Sequence, residues 1–183
     1  MFKSLSKFQR KVGNILSRLT NFSIVHLGDL NNFIEETFEE DKRVSGISEV
    51  LQISEADGIT HAVVFDDGEV FSNKMAWLKE NDVNVRIVHI PITRVVNVRK
   101  DEKADVYIGR GSYWGNPYAM EEGDSREEVI RKFKYDFDND KFPNKEKSKV
   151  FDLTGKRLGC YCKPAACHGD VLADYLNSYD DGK

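Results

Sequence analysis

Hydrophobic and polar positions follow two different periods along the chain, and each change of period marks an element. Phe2, Leu5, Phe8, Val12, Ile15, Leu16 and Leu19 fall on roughly one face of a helix, so residues 1–20 read as an amphipathic helix. From Asn21 the pattern turns into strand-like runs separated by helical ones. Phe22 to Leu27 is a candidate buried strand closed by Gly28-Asp29, and Asn31 to Glu40 is either helical or an acidic loop. Ile59 to Phe65 is an apolar strand ended by the turn sequence Asp66-Asp67-Gly68. Ser72 is placed to cap a helix running to about Asn81, and Val83 to Ile90 returns as a strand stopped by Pro91. Strand, helix and strand at this spacing predict a parallel βαβ unit.

The second half repeats the alternation with shorter runs. Val95 to Val98 and Val106 to Ile108 are strand candidates, the latter leading into a glycine-rich loop. Gly123 to Glu128 reads as a helix start, with Ser125 as cap and Glu128 as its reciprocal partner, and the helix continues through Val129, Ile130, Phe133 and Phe137. Asp138 to Lys149 is highly charged and contains Pro143, which predicts a surface connection or a short helix at most. Arg157 to Cys162 reads as a short strand, and Gly169 or His168 opens a last helix through Val171, Leu172, Tyr175 and Leu176. The expected fold is therefore α/β, a mostly parallel Rossmann-like sheet flanked by helices. Its expected parts are a basic helix over 1–20, a βαβ half over 21–92 and a motif-bearing module over 93–183.

Length and composition narrow the class. At 183 residues the chain can bury a core without crosslinks, and 40% hydrophobic with 32% charged residues describes a globular protein. No apolar run is long enough to cross a bilayer. Three cysteines crowded near one end, with no signal peptide ahead of them, do not make a secreted disulfide framework, so a reducing cytoplasm is expected. The net charge of −4 is unevenly spread, because Lys3, Lys7, Arg10, Lys11 and Arg18 have no acid among them. That basic helix either docks its apolar face on the body or meets nucleic acid or an anionic surface.

The densest chemistry lies in Gly159 to Asp170, which holds Cys160, Cys162, Cys167 and His168. Residues two apart on a strand face the same way, so Cys160 and Cys162 present both sulfurs to one side. Cys167 and His168 follow Pro164 at a helix start, where free N–H groups favour an anion. Four readings stay open. The four groups hold a metal, zinc by ligand type, although Cys-x-Cys is a poor zinc spacing. Cys167 is a reactive thiol, with His168 or Asp170 as acid or base. His168, Gly169 and the helix start receive a phosphate or carboxylate. Or the cysteines are small hydrophobes under a capped helix, and Asp170 caps it.

A second motif runs from Gly109 to Pro117. Gly109, Gly111 and Gly115 permit close backbone approach, and they bracket Arg110 and Ser112, groups suited to gripping an anion. Trp114 is placed either to stack a ring or to plug the core, and Asn116 either to read a polar edge or to make a turn with Pro117. The loop is neither a dinucleotide fingerprint nor a Walker loop.

Val106-Tyr107-Ile108-Gly109-Arg110-Gly111-Ser112-x-Trp114-Gly115-Asn116-Pro117, followed by a helix and by Leu158-Gly159-Cys160-x-Cys162-x-Pro164-x-x-Cys167-His168-Gly169-Asp170-Val171-Leu172, resembles domain of unknown function 4326 of bacteria and tailed phages, over about residues 94 to 177. The resemblance implies that both motifs belong to one module, and a host cytoplasm if the source is a phage. Thr60 to Gly68, a helix and Val85 to Val88 look like the later βαβ portion of a Rossmann-like nucleotide-binding group, that of DNA-processing protein A and lysine-decarboxylase-like phosphoribohydrolases. No Gly-Gly-x-x-Gly phosphate loop follows the first strand, only His26-Leu27-Gly28-Asp29.

These readings predict a pocket for a nucleotide or a phosphorylated or ribosylated derivative, with hydrolysis or transfer as the chemistry if it is an enzyme. The rival is a binding module without turnover, zinc-stabilised, that sequesters a nucleotide signal or docks on a host protein or nucleic acid.

Overall fold

Ser4 Oγ accepts the Lys7 N–H at 3.3 Å and starts α1 (Leu5–Leu16), whose Phe8 and Val12 are buried. The structure is a computed structural model, and it describes residues 3–56, 58–68, 72–100, 103–121, 124–142 and 144–182. Phe2, Gly123, Pro143 and the Ser72 side chain, each given a part in the sequence reading, lie outside the described residues. The chain divides into two units, one of Lys3–Ile90 with the segment from Asp180, the other of Pro91–Tyr179.

In the first unit, Phe8 packs on Phe33 and Phe65 at centroid distances of 5.7 and 5.2 Å, so α1 docks through its apolar face. Arg10 grips Asp180 through two guanidinium nitrogens at 3.1 and 2.7 Å, Ser6 donates to the same carboxylate at 2.6 Å, and Lys7 lies 3.0 Å from Asp181. The Arg10 hydrogen bonds, then that of Ser6, hold the Asp180 carboxyl well below the usual carboxylate range. Part of the basic face expected to meet nucleic acid is thus neutralised from within, and the fold lends that expectation no support.

β1 (Phe22–His26) pairs in parallel with β2 (Val44–Glu49), with α2 (Phe33–Phe38) between them. Asp29 closes the β1 turn and takes the N–H groups of Phe33 and Ile34 at 3.0 and 2.6 Å. The Asp29 carboxylate thus satisfies two of the free N–H groups at the start of α2. β3 (His61–Asp66) and β4 (Asn84–His89) pair in parallel without a register break, joined through α3 (Ser72–Glu80), which is the expected βαβ unit.

The second unit is a three-stranded parallel sheet in the order β5-β7-β6, made of β5 (Arg94–Asn97), β6 (Val106–Tyr107) and β7 (Arg157–Cys160). The expected α/β class and parallel pairing hold, but the Rossmann-like sheet is divided into three short parallel sheets among the described residues. Local turns keep the second unit's strands short. Asn97 Oδ1 takes the Arg99 N–H at 2.8 Å and bends the chain into a 3-10 turn over Val98–Lys100, while β6 ends as Ser112 N–H returns to Gly109 O at 3.1 Å.

Ser125 caps α4 (Arg126–Asp138) by taking the Glu128 N–H at 3.1 Å, and the Glu128 carboxylate turns to Arg131 at 3.3 Å. α5 (His168–Ser178) lays Leu172 and Leu176 onto Ile108, Phe133, Phe137 and Leu158 in one core. The charged connection ends in a 3-10 helix, Lys147–Leu153, that drops Val150 into the same core. Asn177 clamps the entry of this unit, accepting from Thr93 N–H at 2.9 Å and donating to Thr93 O at 3.0 Å. Thr93 is buried, so Asn177→Ala strands two backbone groups and is expected to destabilise by about 1–3 kcal/mol in urea unfolding.

Candidate functional site

β6 and β7 are parallel neighbours, so the loops at their carboxyl ends leave on the same edge of the sheet. The glycine loop leaves β6 and the cysteine corner leaves β7. Ile108 joins them, its N–H donating to Gly159 O at 2.9 Å and its carbonyl accepting from His168 Nε2 at 2.9 Å. A side chain on Gly169 would overlap Ile108 Cδ1 and press on Val95, so a larger residue in the first turn of α5 would require the buried Ile108 side chain to move.

Cys160, Cys162 and Cys167 place their sulfurs within 4.8 Å of one another. Cys167 Sγ donates to Cys160 Sγ at 3.2 Å, which holds the Cys160 thiol below its ordinary value and pushes Cys167 up, with burial adding to the rise. Burial, foremost, also raises Cys162. All three are free thiols. A tetrahedral zinc–thiolate set with bonds of about 2.3 Å needs sulfurs roughly 3.8 Å apart, a spacing these side chains reach with small adjustments.

His168 falls outside that triad. Its Nδ1 lies 3.6 Å from Cys167 Sγ, and its ring meets Phe133 edge-on at 5.0 Å. It is 6% exposed, and burial lowers its basicity. The Nε2–H bond to Ile108 O leaves Nδ1 as the bare nitrogen, the tautomer a metal ligand requires.

The groups expected to act as acid, base or nucleophile are engaged in holding the corner. Cys167 is the N-cap of α5, its sulfur taking the Gly169 N–H at 3.4 Å. Asp170 accepts the Cys167 N–H at 2.9 Å and pairs with Lys163 at 2.6 Å. Lys163 O in turn accepts a bond from Asn97 Nδ2, tying the end of β5 to the corner.

The glycine loop divides its residues between surface and core. Arg110 is exposed and makes no hydrogen bond or ion pair among the described residues, and Gly111 turns the chain beside it with φ +87°. Ser112 Oγ is buried without a hydrogen-bond partner there. Trp114 is 5% exposed and packs edge-on against Tyr113 and Phe137, so its indole belongs to the core. Asn116 is bonded at both ends, donating to Val129 O at 3.2 Å and accepting from Tyr118 N–H at 3.0 Å.

Two cations at this edge escaped the sequence reading. Lys145 donates to Gly115 O at 3.0 Å and rides 4.5 Å over the Phe142 ring, and burial lowers its ammonium below the usual lysine value. Arg126 donates to Ala166 O at 3.4 Å, and its charge opposes the rise that burial gives the Cys162 thiol. Lys145 lies in a run of alternating charges that gives no sign of which one turns inward. The position of Arg126, directly after a helix cap, was a usable signal.

Comparison with known proteins separates the two halves. Residues 1–96 match the minimal SLOG domain, a Rossmann-like nucleotide-binding type, and residues 94–178 match domain of unknown function 4326. An uncharacterized 12.4 kDa protein from the nrdA-td intergenic region of Enterobacteria phage T4 is 45% identical over 87 residues, covering 47% of this chain and 79% of the phage protein. No solved structure matches the chain. With a SLOG match across more than half its length and a thiol-bearing module behind it, this chain belongs to the minimal SLOG family and to the family of domain of unknown function 4326.

Proposed function

We propose that this protein binds a nucleotide, or a phosphorylated or ribosylated derivative of one, at the carboxyl edge of the β5-β7-β6 sheet, and that zinc held by Cys160, Cys162 and Cys167 fixes that edge. The observation that carries the reading is the exit of both motif loops from adjacent parallel strands, where α/β sheets receive ligands. The SLOG match bears on the ligand class at the level of the chain, since it covers residues 1–96 and, of this sheet, only β5 up to Val96. Arg110 supplies the anion contact and the unpartnered Ser112 hydroxyl a second donor. Bound zinc would staple the end of β7 to the start of α5, with a fourth ligand from solvent or from His168 Nδ1 after a small shift. Binding without turnover is favoured over catalysis, because Cys167, His168 and Asp170 are already committed to the helix cap and to Ile108.

Thermal shift and calorimetry against a panel of nucleoside mono-, di- and triphosphates test this. Arg110→Ala is expected to weaken the bound nucleotide about tenfold to a hundredfold, the range of a charge-assisted hydrogen bond, without changing the unfolding midpoint of the free protein. An Arg110→Ala protein with unchanged affinity removes Arg110 from the site.

A further inference from the structure

Alternation about the end of β7 turns Cys160 and Cys162 to one side and leaves Tyr161 on the other, 51% exposed. Tyr107, at the end of β6, is 44% exposed, and its ring covers Gly109, where a side chain would overlap the phenol. The two tyrosine rings meet edge to face with centroids 5.9 Å apart. From the end of β5, Arg99 places its guanidinium carbon 5.2 Å from the Tyr161 centroid. Each of the three parallel strands therefore delivers one aromatic or cationic group to a single exposed cluster on the edge that carries both motifs.

Among the described residues, Arg99 and Arg110 follow the ends of β5 and β6 and carry no ion pair, and Lys163, after β7, is paired with Asp170. Exposed rings beside unneutralised guanidinium groups suit a ligand that is flat at one end and anionic at the other. Trp114, buried beneath the loop, offers such a ligand no ring face.

We infer that Tyr161, buttressed by Tyr107 and Arg99, is the surface on which the base of the nucleotide stacks, with its phosphate toward Arg110. This rests on the nucleotide reading above and assigns its base-recognising residues.

Calorimetry on the full chain with AMP, UMP and ribose 5-phosphate separates base from phosphate. The wild type is expected to bind AMP about tenfold or more tighter than ribose 5-phosphate, the scale of one base-aromatic stack. Tyr161→Ala should bring the two to parity and leave ribose 5-phosphate affinity unchanged, while Tyr161→Phe keeps the preference. Arg99→Glu lies wholly on the surface, so it gives a second reading if Tyr161→Ala fails to fold: it should weaken AMP at least tenfold. A wild-type preference retained in Tyr161→Ala, or unchanged AMP affinity in Arg99→Glu, overturns the platform while the nucleotide reading stands. A wild type that binds none of the three ligands overturns both, and one that ignores AMP yet holds a single-stranded oligonucleotide overturns the assignment to a free nucleotide.

Discussion

Chelating the metal from the purified protein is expected to lower its stability by about 5 kcal/mol or more, read as a large fall in the thermal midpoint, with about one zinc per chain released. The scale follows from structural zinc in peptides that lack a core, where binding contributes roughly 10–16 kcal/mol; a module with its own core depends on the metal for a smaller share. Cys162→Ser isolates the effect, because Cys162 is only partly buried and packs at the margin of the core that contains Cys160 and Cys167. As a packing change alone it should cost less than about 1 kcal/mol; as the loss of a ligand it should reproduce the chelated state. Protein purified without metal, with the same midpoint before and after chelator and in Cys162→Ser, would return the cysteines to the role of small buried hydrophobes.

Phe133→Ala is expected to cost about 3–5 kcal/mol in urea unfolding, out of the roughly 5–15 kcal/mol that a domain has in total. Phe133 is fully buried at the centre of the second unit. Its ring stacks parallel to Phe137 at 6.5 Å, tilts onto Phe142 at 4.8 Å and forms the wall against which His168 stands. Removing it opens a cavity under the imidazole, so metal affinity should fall with stability in this variant. Phe133→Leu should recover most of both. A loss below about 1 kcal/mol would mean that the core closes over the gap.

The βαβ segment was legible because its strands are continuous apolar runs, as in Ala62-Val63-Val64-Phe65, bounded by turn residues. β2 was not, since Val44-Ser45-Gly46-Ile47-Ser48-Glu49 carries two apolar side chains and is held to β1 by backbone pairing. The division of one apparent sheet into three was equally hidden, because strand propensity does not say which ladders connect. In the candidate site, two-residue alternation suffices to put Cys160 and Cys162 on one side, whereas Cys167 reaches them only through the turn that Ala165 N–H closes onto Cys162 O. The direction of Trp114 was out of reach. It follows from a core built by α4 and from Lys145, which holds Gly115 from thirty residues further along the chain.

The chain leaves its SLOG unit at Ile90 and re-enters it at Asp180, where Ser6 and Arg10 receive it. In topological terms the thiol-bearing module is a guest inserted into a host, with both host junctions in sequence bordering the guest. Trimming the tail therefore injures the host, which loses the counter-ion of its first helix. Excising the guest calls for a splice from residue 90 to residue 180, in place of a single cut.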